Sequence, residues 1–433
     1  MPIEKLLVAN RGEIAVRIFR TCRELGIATV AVAPPDDAGG LHARSADEKI
    51  EISSYLDQDE HIRAARQVGA DAIHPGYGFL SENADFAEAV GAAGLTWVGP
   101  PPEALRQGGD KLAAKRIAIE AGVPVVPTGE PDELGYPLLV KAAAGGGGRG
   151  MRVVRAEDEL EEALAAASRE AEAAFGDGTV FCERYIERPR HVEIQLLGDA
   201  HGTVLALGER DCSVQRRHQK VLEESPSPAL DPELRAAISD AAVRFARAIG
   251  YASAGTAEFM LDGRDFYFLE LNGRIQVEHP VTELVTGRDL IRDQIRIAEG
   301  QPLAPSNSLL QGHAVEVRLY AEDPRTFLPQ AGTIDRLRLP ADIRVDAGVE
   351  EGDEIGTSYD PMIAKLIAHG PTRDEALARL GDALAETEVV GLTTNLPFLR
   401  WLVRHPVFRA GEATTAFLTE HPPLSEPPLR LPD

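Results

Sequence analysis

Cysteine is scarce. The chain has three among 433 residues, Cys22, Cys182 and Cys212, and none stands in C-x-x-C spacing. That excludes a disulfide framework and a cysteine-based zinc site, and it fits a reducing cytosol. Positive charge is also short: 45 Lys and Arg face 69 Asp and Glu, for a net charge of −24. General nucleic-acid binders and proteins that lie on anionic membranes carry a basic surplus, so neither partner is expected. An anionic substrate stays open where basic residues cluster. No apolar run approaches the ~20 residues a membrane-spanning helix needs. The opening "MPIEKLLVANRGEIAVRIFR" is broken by charge from Glu4 on. It reads as strand, turn and amphipathic helix rather than as a signal peptide, so a cytoplasmic location is expected.

What is present is ordinary globular material, 44% hydrophobic, with glycine and proline scattered and no internal repeat. The length predicts two to four domains. Residues 5–33 read β-α-β, with Ile14, Ile18, Cys22 and Leu25 on one helical stripe and Gly26 as the stop. The first turn, "ANRGE", is not G-x-G-x-x-G, so a nicotinamide site is not expected there. We place a first unit at 1–108, a second at 109–304 with a sheet-and-helix lid at about 128–187, and a third at 305–433. "DPELRAAISDAAVRFARAIG" reads as a helix with Asp231 as N-cap and Gly250 as stop.

Four stretches carry chemistry. In "LELNGRIQVEHP" an extended strand would set Glu270, Asn272, Arg274, Gln276 and Glu278 in one row. Gly273 is a natural end for that strand. Upstream, "AEFMLDGRDFYFLELN" predicts a hairpin with a three-residue turn at Gly263–Asp265 that places Glu258 opposite Glu270. Like charges facing across a strand pair destabilise it. A divalent cation relieves this, and two carboxylates with the Asn272 amide offer the hard oxygens Mg²⁺ prefers. A solvated hairpin that tolerates the repulsion is the alternative. "KAAAGGGGRGM" places Lys141 before a glycine run suited to close backbone approach to an anion. A flexible hairpin tip is the bland reading. "SVQRRHQK" gathers Arg216, Arg217, His218 and Lys220 into a local positive patch. "HAVEVRLYAEDP" sets Glu316 and Arg318 on one strand face, which alone suggests a surface ion pair. Cys212 reads as packing rather than as a reactive thiol, and His74 and Tyr77 as turn residues.

In this order, "HPGYGFLSEN", "GGGGRGM", "RRHQKVLEE", "RIQVEHPVTE" and "HAVEVRLYAEDP" resemble the biotin carboxylase family. The resemblance runs from "VANRGEIAVRI" to "YDPMIAKLI", nearly the whole chain. It implies an α/β and α+β architecture: an ATP-grasp fold with a Rossmann-like N-terminal domain, a mobile lid and a C-terminal domain. It implies a ligase that uses ATP and bicarbonate to carboxylate biotin through carboxyphosphate, the first half-reaction of an acyl-CoA carboxylase of the acetyl- or propionyl-CoA type. It further implies that Glu258, Glu270 and Asn272 hold Mg²⁺ or Mn²⁺. Lys111, Lys141, Gly146, Gly147 and Gly148 would meet the phosphates. Glu183, Ile186, His191, Gln215, His218 and Met260 would line the nucleotide. Lys220, Arg274, Gln276 and the Val277 backbone would hold bicarbonate, Glu278 would be its base, and Arg318 would stabilise the biotin enolate. Tyr77 and Gly78 would border biotin.

The sequence departs from the family pattern at Gly273, where threonine is usual, which predicts a looser backbone. The lid lead-in "TGEPDELGYP" is expected to lack a helix, and "ADEKIEISSYLDQDE" is short. No biotin-attachment motif occurs, so a separate biotin carboxyl carrier protein and a separate carboxyltransferase are expected partners, with the chain as a homodimer. The competing readings are another ATP-grasp ligase and a nucleotide-binding scaffold without turnover. Glu278 and Arg318 argue against the first, and Lys220, Glu278 and Arg318 together against the second.

Overall fold

The computed structural model describes residues 2–143, 151–216, 219–304 and 310–423, with Phe175 as backbone only. The apolar run Lys5–Val8 (β1) sits at the centre of a parallel sheet with β2 (Ala28–Ala33), β3 (Glu48–Glu51), β4 (Ala72–His74) and β5 (Thr96–Trp97), in the order β3-β2-β1-β4-β5. Both faces of β1 are buried, which is why it reads as continuous rather than alternating hydrophobicity. Helix α1 (Gly12–Leu25) follows β1 and ends at Gly26, in the left-handed conformation at φ 75°, where the Gly26 and Ile27 amides close on Arg23 and Cys22. Helix α1 packs on the Leu6 and Val8 face of the sheet, with α2 (Leu41–Ser45) beside it, and α3 (Gln58–Val68) and α4 (Ala84–Ala92) cover the opposite face, where Leu7 and Ala9 point. The Asn10 amide donates to the Pro75 and Tyr77 carbonyls, tying the loop after β1 to the loop after β4. Gly76 is required there: its φ is +64°, and a Cβ would stand 2.8 Å from Asn10 Nδ2.

Helices α5 (Pro102–Gly109), α6 (Lys111–Glu120) and α7 (Pro131–Leu134) lead to a three-stranded antiparallel sheet of β6 (Leu138–Ala142), β7 (Arg152–Val154) and β8 (Val180–Arg184), ordered β7-β6-β8 and covered by α8 (Leu160–Phe175). The one-turn α7 corrects the expectation of a helix-free lead-in. Pro131 at its first position and Asp132 and Glu133 in its first turn favour it.

The largest sheet has eight antiparallel strands: β9 (Arg190–Gly198), β10 (Val204–Arg216), β11 (Gln219–Ser225), β12 (Ser253–Asp262), β13 (Asp265–Asn272), β14 (His313–Tyr320), and two that follow below. Helix α9 (Pro232–Ala248) packs on it, its N-cap Asp231 accepting from the Leu234 amide as predicted. Helices α10 (His279–Thr286) and α11 (Leu290–Ala298) follow β13. Two short pairs, β15 (Gly332–Thr333) with β18 (Glu354–Ile355) and β16 (Arg336–Arg338) with β20 (Glu388–Val390), flank the last members of the large sheet, β17 (Arg344–Ala347) and β19 (Met362–Gly370). The complete order is β13-β12-β9-β10-β11-β14-β19-β17. Helix α12 (Arg373–Glu386) buries Leu377, Leu380 and Leu384 against the C-terminal end of this sheet. Among the described residues no helix is long and apolar enough to cross a membrane.

The β12–β13 hairpin differs from its sequence reading. Asp262 pairs with Asp265, so the turn has two residues, Gly263 and Arg264, and not three. A bulge between Glu258 and Phe259 then shifts the register by one, and Glu258 meets Glu270 after all. Strand β13 stops at Asn272, and the rest of the row is a turn leading into α10.

Candidate active site

The sheet face at the ends of β9, β11, β12 and β13 collects charge that an ordinary core excludes. Lys220 on β11 is the hub. Its three ammonium hydrogens meet three carboxylates: Glu258 Oε1 at 2.9 Å, Glu278 Oε1 at 2.7 Å, and Glu193. Burial disfavours the Lys220 charge, but Glu193, Glu258 and Glu278 override it and hold the ammonium well above its usual range. Glu278 stands at the N-cap position of α10, with its side chain turned away from the helix amides. Burial alone would raise its pKa; Lys220 on one oxygen and Arg318 Nη2, 3.0 Å from the other, keep it well below the carboxylate range. Gln276 donates to Glu258 Oε1 at 3.2 Å and lies 3.5 Å from Lys220 Nζ. Arg274 is held from two sides, Nε to Glu82 Oε2 at 3.0 Å and Nη2 to Asn272 Oδ1 at 2.7 Å. The Val277 carbonyl accepts from Lys365 Nζ at 2.8 Å.

The metal-ligand candidates come together. Asn272 Nδ2 donates to Glu258 Oε1 at 3.0 Å, and Glu270 stands across from Glu258. Burial and the Glu258 charge raise Glu270, with Lys111 as a partial counterweight. Glu258 goes the other way: Lys220 and His191 overcome its burial and hold it well below the usual range. His191 Nε2 lies 3.0 Å from Glu258 Oε2, and His191 Nδ1 accepts from Gln215 at 3.4 Å. The ligand atoms of His191, Glu193 and Glu258 converge within 4.8 Å, and so do those of Glu193, Cys212 and Glu278. Lys220 already neutralises the first group. Glu270 keeps its repulsion with Glu258, so the donor set Glu258, Glu270 and Asn272 fits a hard divalent cation.

The nucleotide candidates are more dispersed. Lys141 on β6 and Lys115 on α6 both bond Glu183 on β8, at 2.6 Å each. Ile186 is buried beyond β8, and Met260, half-buried on β12, lies opposite His191. Lys111 opens α6 and is exposed. Tyr77 donates to Glu13 Oε1 at 2.5 Å, and Gly78 is exposed beside it in the left-handed conformation. Gly146, Gly147, Gly148 and His218 lie outside the described residues.

Two readings are corrected. The Glu316–Arg318 surface ion pair does not form: both residues are buried, both Glu316 oxygens lack a partner, and Arg318 turns to Glu223 and Glu278. Gly273 is not loose. Its amide donates to Glu82 Oε1 at 3.0 Å, and the room a Cβ would need is taken by Leu105. Cys212 is packing, as read: burial pushes its thiol well up, away from thiolate.

Sequence reasoning missed Glu193, Arg210, Glu82, Lys115, Glu223 and Lys365. Arg210 is wholly buried, donating to Glu193, to Gln195 Oε1 at 2.6 Å, and to Thr282 and Thr256. A signal existed for Glu193: a lone carboxylate in the apolar strand "RHVEIQLL", in phase with His191 and Gln195, marks a paired buried charge.

Three family models match the chain: "Biotin carboxylase, N-terminal domain" over residues 2–105, "Carbamoyl-phosphate synthase L chain, ATP binding domain" over 110–306, and "Biotin carboxylase C-terminal domain" over 316–420. A biotin carboxylase of Halalkalibacterium halodurans is 50% identical over 96% of this chain and 98% of its own length. The mitochondrial methylcrotonoyl-CoA carboxylase subunit alpha of Oryza sativa is 49% identical over 97% of this chain, which spans 60% of that longer protein. Among solved structures, a Campylobacter jejuni biotin carboxylase–β,γ-ATP complex superposes with a TM-score of 0.94 at 43% identity, covering 97% of this chain and 99% of that one. The biotin carboxylase domain dimer of Hydrogenobacter thermophilus 2-oxoglutarate carboxylase, with MgADP, ADP and bicarbonate, also scores 0.94, at 44% identity over 99% of both chains.

Proposed function

The chain belongs to the biotin carboxylase family, and from that premise we propose that it joins bicarbonate to biotin at the expense of ATP, with the residue roles that follow. The carrying observation is the continuous charge relay Glu258–Lys220–Glu278–Arg318, whose links are 2.9, 2.7 and 3.0 Å. It links the carboxylates suited to a metal to an arginine suited to an anion. The units divide at 108/109 and 304/305, with a lid over about 128–187.

Glu258, Glu270 and Asn272 hold Mg²⁺ or Mn²⁺, which when bound supplies charge against the ATP phosphates. Lys111 and Lys141 bring further positive charge to those phosphates, and Glu183, Ile186, His191, Gln215 and Met260 line the nucleotide. Lys220, Arg274, Gln276 and the Val277 backbone orient bicarbonate. In the free site Lys220 and Arg318 keep Glu278 ionised. Bicarbonate draws Lys220 toward itself, and a carboxylate relieved of one cation is a stronger base. Glu278 takes the bicarbonate proton, the freed oxygen attacks the γ-phosphorus, and the bond to the bridging oxygen of ADP breaks. Carboxyphosphate gives CO₂ and phosphate, and phosphate takes the ureido proton of biotin. Arg318 stabilises the enolate oxygen while the ureido nitrogen attacks CO₂, beside Tyr77 and Gly78.

The biotin is presented by a biotin carboxyl carrier protein outside these 433 residues, and a carboxyltransferase passes the carboxyl group on. An acyl-CoA acceptor of the acetyl or propionyl type fits the propionyl-CoA carboxylase alpha chain of Ruegeria pomeroyi among the relatives, 47% identical over 99% of this chain. We propose a cytoplasmic homodimer. The test is phosphate release from Mg-ATP with and without bicarbonate and free biotin. Stimulation that needs both is expected, and Glu278→Gln should lower it ~10²–10⁴-fold. ATP binding without turnover in every mixture, carriers included, would refute the reading.

A further inference from the structure

Two buried carboxyls take no part in these steps. Glu223 on β11 stands opposite Glu316 on β14, and both are fully buried. Neither Glu316 oxygen has a hydrogen-bond partner, and among the described residues the one group that reaches Glu223 is the Arg318 guanidinium, at Oε1. Two ionised carboxylates so placed repel directly. The cations around them are already engaged. Arg318, two residues along β14, is shared between Glu223 and Glu278. Lys365 on β19 holds Glu13 and the Val277 carbonyl. Lys220, on the same strand as Glu223, is divided among Glu193, Glu258 and Glu278. On α10 the titratable groups are His279, kept neutral by burial and by Lys365, and Glu283, held by Arg17 and Arg344. Tyr320 and Asp360 stand toward Arg318, and burial raises the pKa of both. Glu316, with neither hydrogen bond nor free cation in such surroundings, takes a proton, while Glu223 keeps the Arg318 contact.

We propose that Glu223 and Glu316 hold one proton between them and act as a positioning pair for Arg318, the ionised member fixing the guanidinium between itself and Glu278. When the pair gains a second proton, Arg318 is left to Glu278 alone, and arginine and base occupy each other rather than substrate. Burial raises Glu223 to about 7, against the pull of Arg318, and raises Glu316 well above the carboxylate range. The order of proton loss that these directions give is Glu223 first. For the task of Arg318 the inference rests on the biotin-carboxylation reading; for the proton it does not.

Infrared spectroscopy of the full chain at neutral pH tests the proton without substrate. A carbonyl stretch of a buried carboxylic acid is expected, and Glu316→Gln should remove it. The second arm is the pH profile of biotin-dependent phosphate release. Wild type should lose kcat on the acid side with an ionisation near 7. Glu223→Gln should abolish that ionisation and lower kcat ~10- to 100-fold, with KM for ATP unchanged. Glu316→Gln should retain more activity and move the ionisation to lower pH, because its amide donates to Glu223. An unchanged infrared band in Glu316→Gln, or an ionisation near 7 that survives in Glu223→Gln, overturns the proposal. A wild type without biotin-dependent turnover defeats the functional reading instead, and the infrared arm still decides the shared proton.

Discussion

Replacing Gly273 by alanine isolates a single steric contact. The Cβ would arrive 2.7 Å from Leu105 Cδ2, with Pro100 Cγ next at 3.9 Å. Ordinary carbon–carbon contacts lie at ~3.5–4.0 Å, so Leu105 must retreat by about 1 Å. It has little room, being 5% exposed and on a helix packed against β13. Overpacking of this kind costs ~1–3 kcal/mol. The backbone of Gly273 is outside the left-handed region, so alanine also stiffens the unfolded chain, a gain of ~0.4–1 kcal/mol. The net expectation is a loss of about 1–2 kcal/mol. Leu105→Ala removes the clashing methyl and alone should cost ~2–4 kcal/mol. In that background Gly273→Ala should be neutral or stabilising, a coupling of ~1–3 kcal/mol. Urea unfolding of the four proteins, followed by fluorescence, measures the cycle. The single variant should also raise KM for bicarbonate, because Glu82 bonds both the Gly273 amide and Arg274. Additive effects, or a Gly273→Ala protein as stable as wild type, would refute the steric argument.

Three further outcomes are expected. His74 accepts the Gly76 amide on Nδ1 and donates from Nε2 to Gln294, so protonating Nδ1 would set donor against donor; burial lowers its pKa to about 4. The folded pKa is below the unfolded value of 6.5, so this stability is present above pH 6.5 and lost as pH falls through the folded value. By pH 5 the loss is ~2 kcal/mol, and His74→Asn should remove about that much of the acid sensitivity in a pH series of urea midpoints. Arg210→Met leaves Glu193 partly uncompensated in the core and should cost ~3–5 kcal/mol, much of it recovered in the double variant with Glu193→Gln. Glu270→Gln removes the repulsion opposite Glu258: the metal-free protein should gain in melting temperature while Mg²⁺ no longer raises it, measured by thermal unfolding with and without the ion.

Much of the fold was legible because it repeats local rules. Gly26 and Asp231 announced their helix ends by residue type. The row Glu270, Asn272, Arg274, Gln276, Glu278 was legible as a set because alternation brings polar residues to one face, even though the strand ends at Asn272. The Glu258–Glu270 meeting was expected through a turn one residue too long, and the bulge made up the difference; bulges are set by packing across the sheet rather than by the turn. Partners distant in sequence were out of reach. Periodicity says that Glu223 and Glu316 share faces with their own strand neighbours, not that β11 lies beside β14. Arg318 therefore read as the partner of Glu316, two residues away, when its partners came from β11 and from the turn before α10.

The seam between β11 and β14 has a consequence for dissection of the gene. Four register pairs, from Leu222 with Val317 to Ser225 with Ala314, join strands that the sequence assigns to different units. A polypeptide ending near residue 304 would carry β11 as a naked edge, and its counterpart would begin with β14 equally bare. Such edges recruit whatever strand is available. The two fragments should therefore be poor autonomous proteins and good complements, aggregating when made alone and reassembling when made together. Arg318 would then reach Glu278 by association in trans.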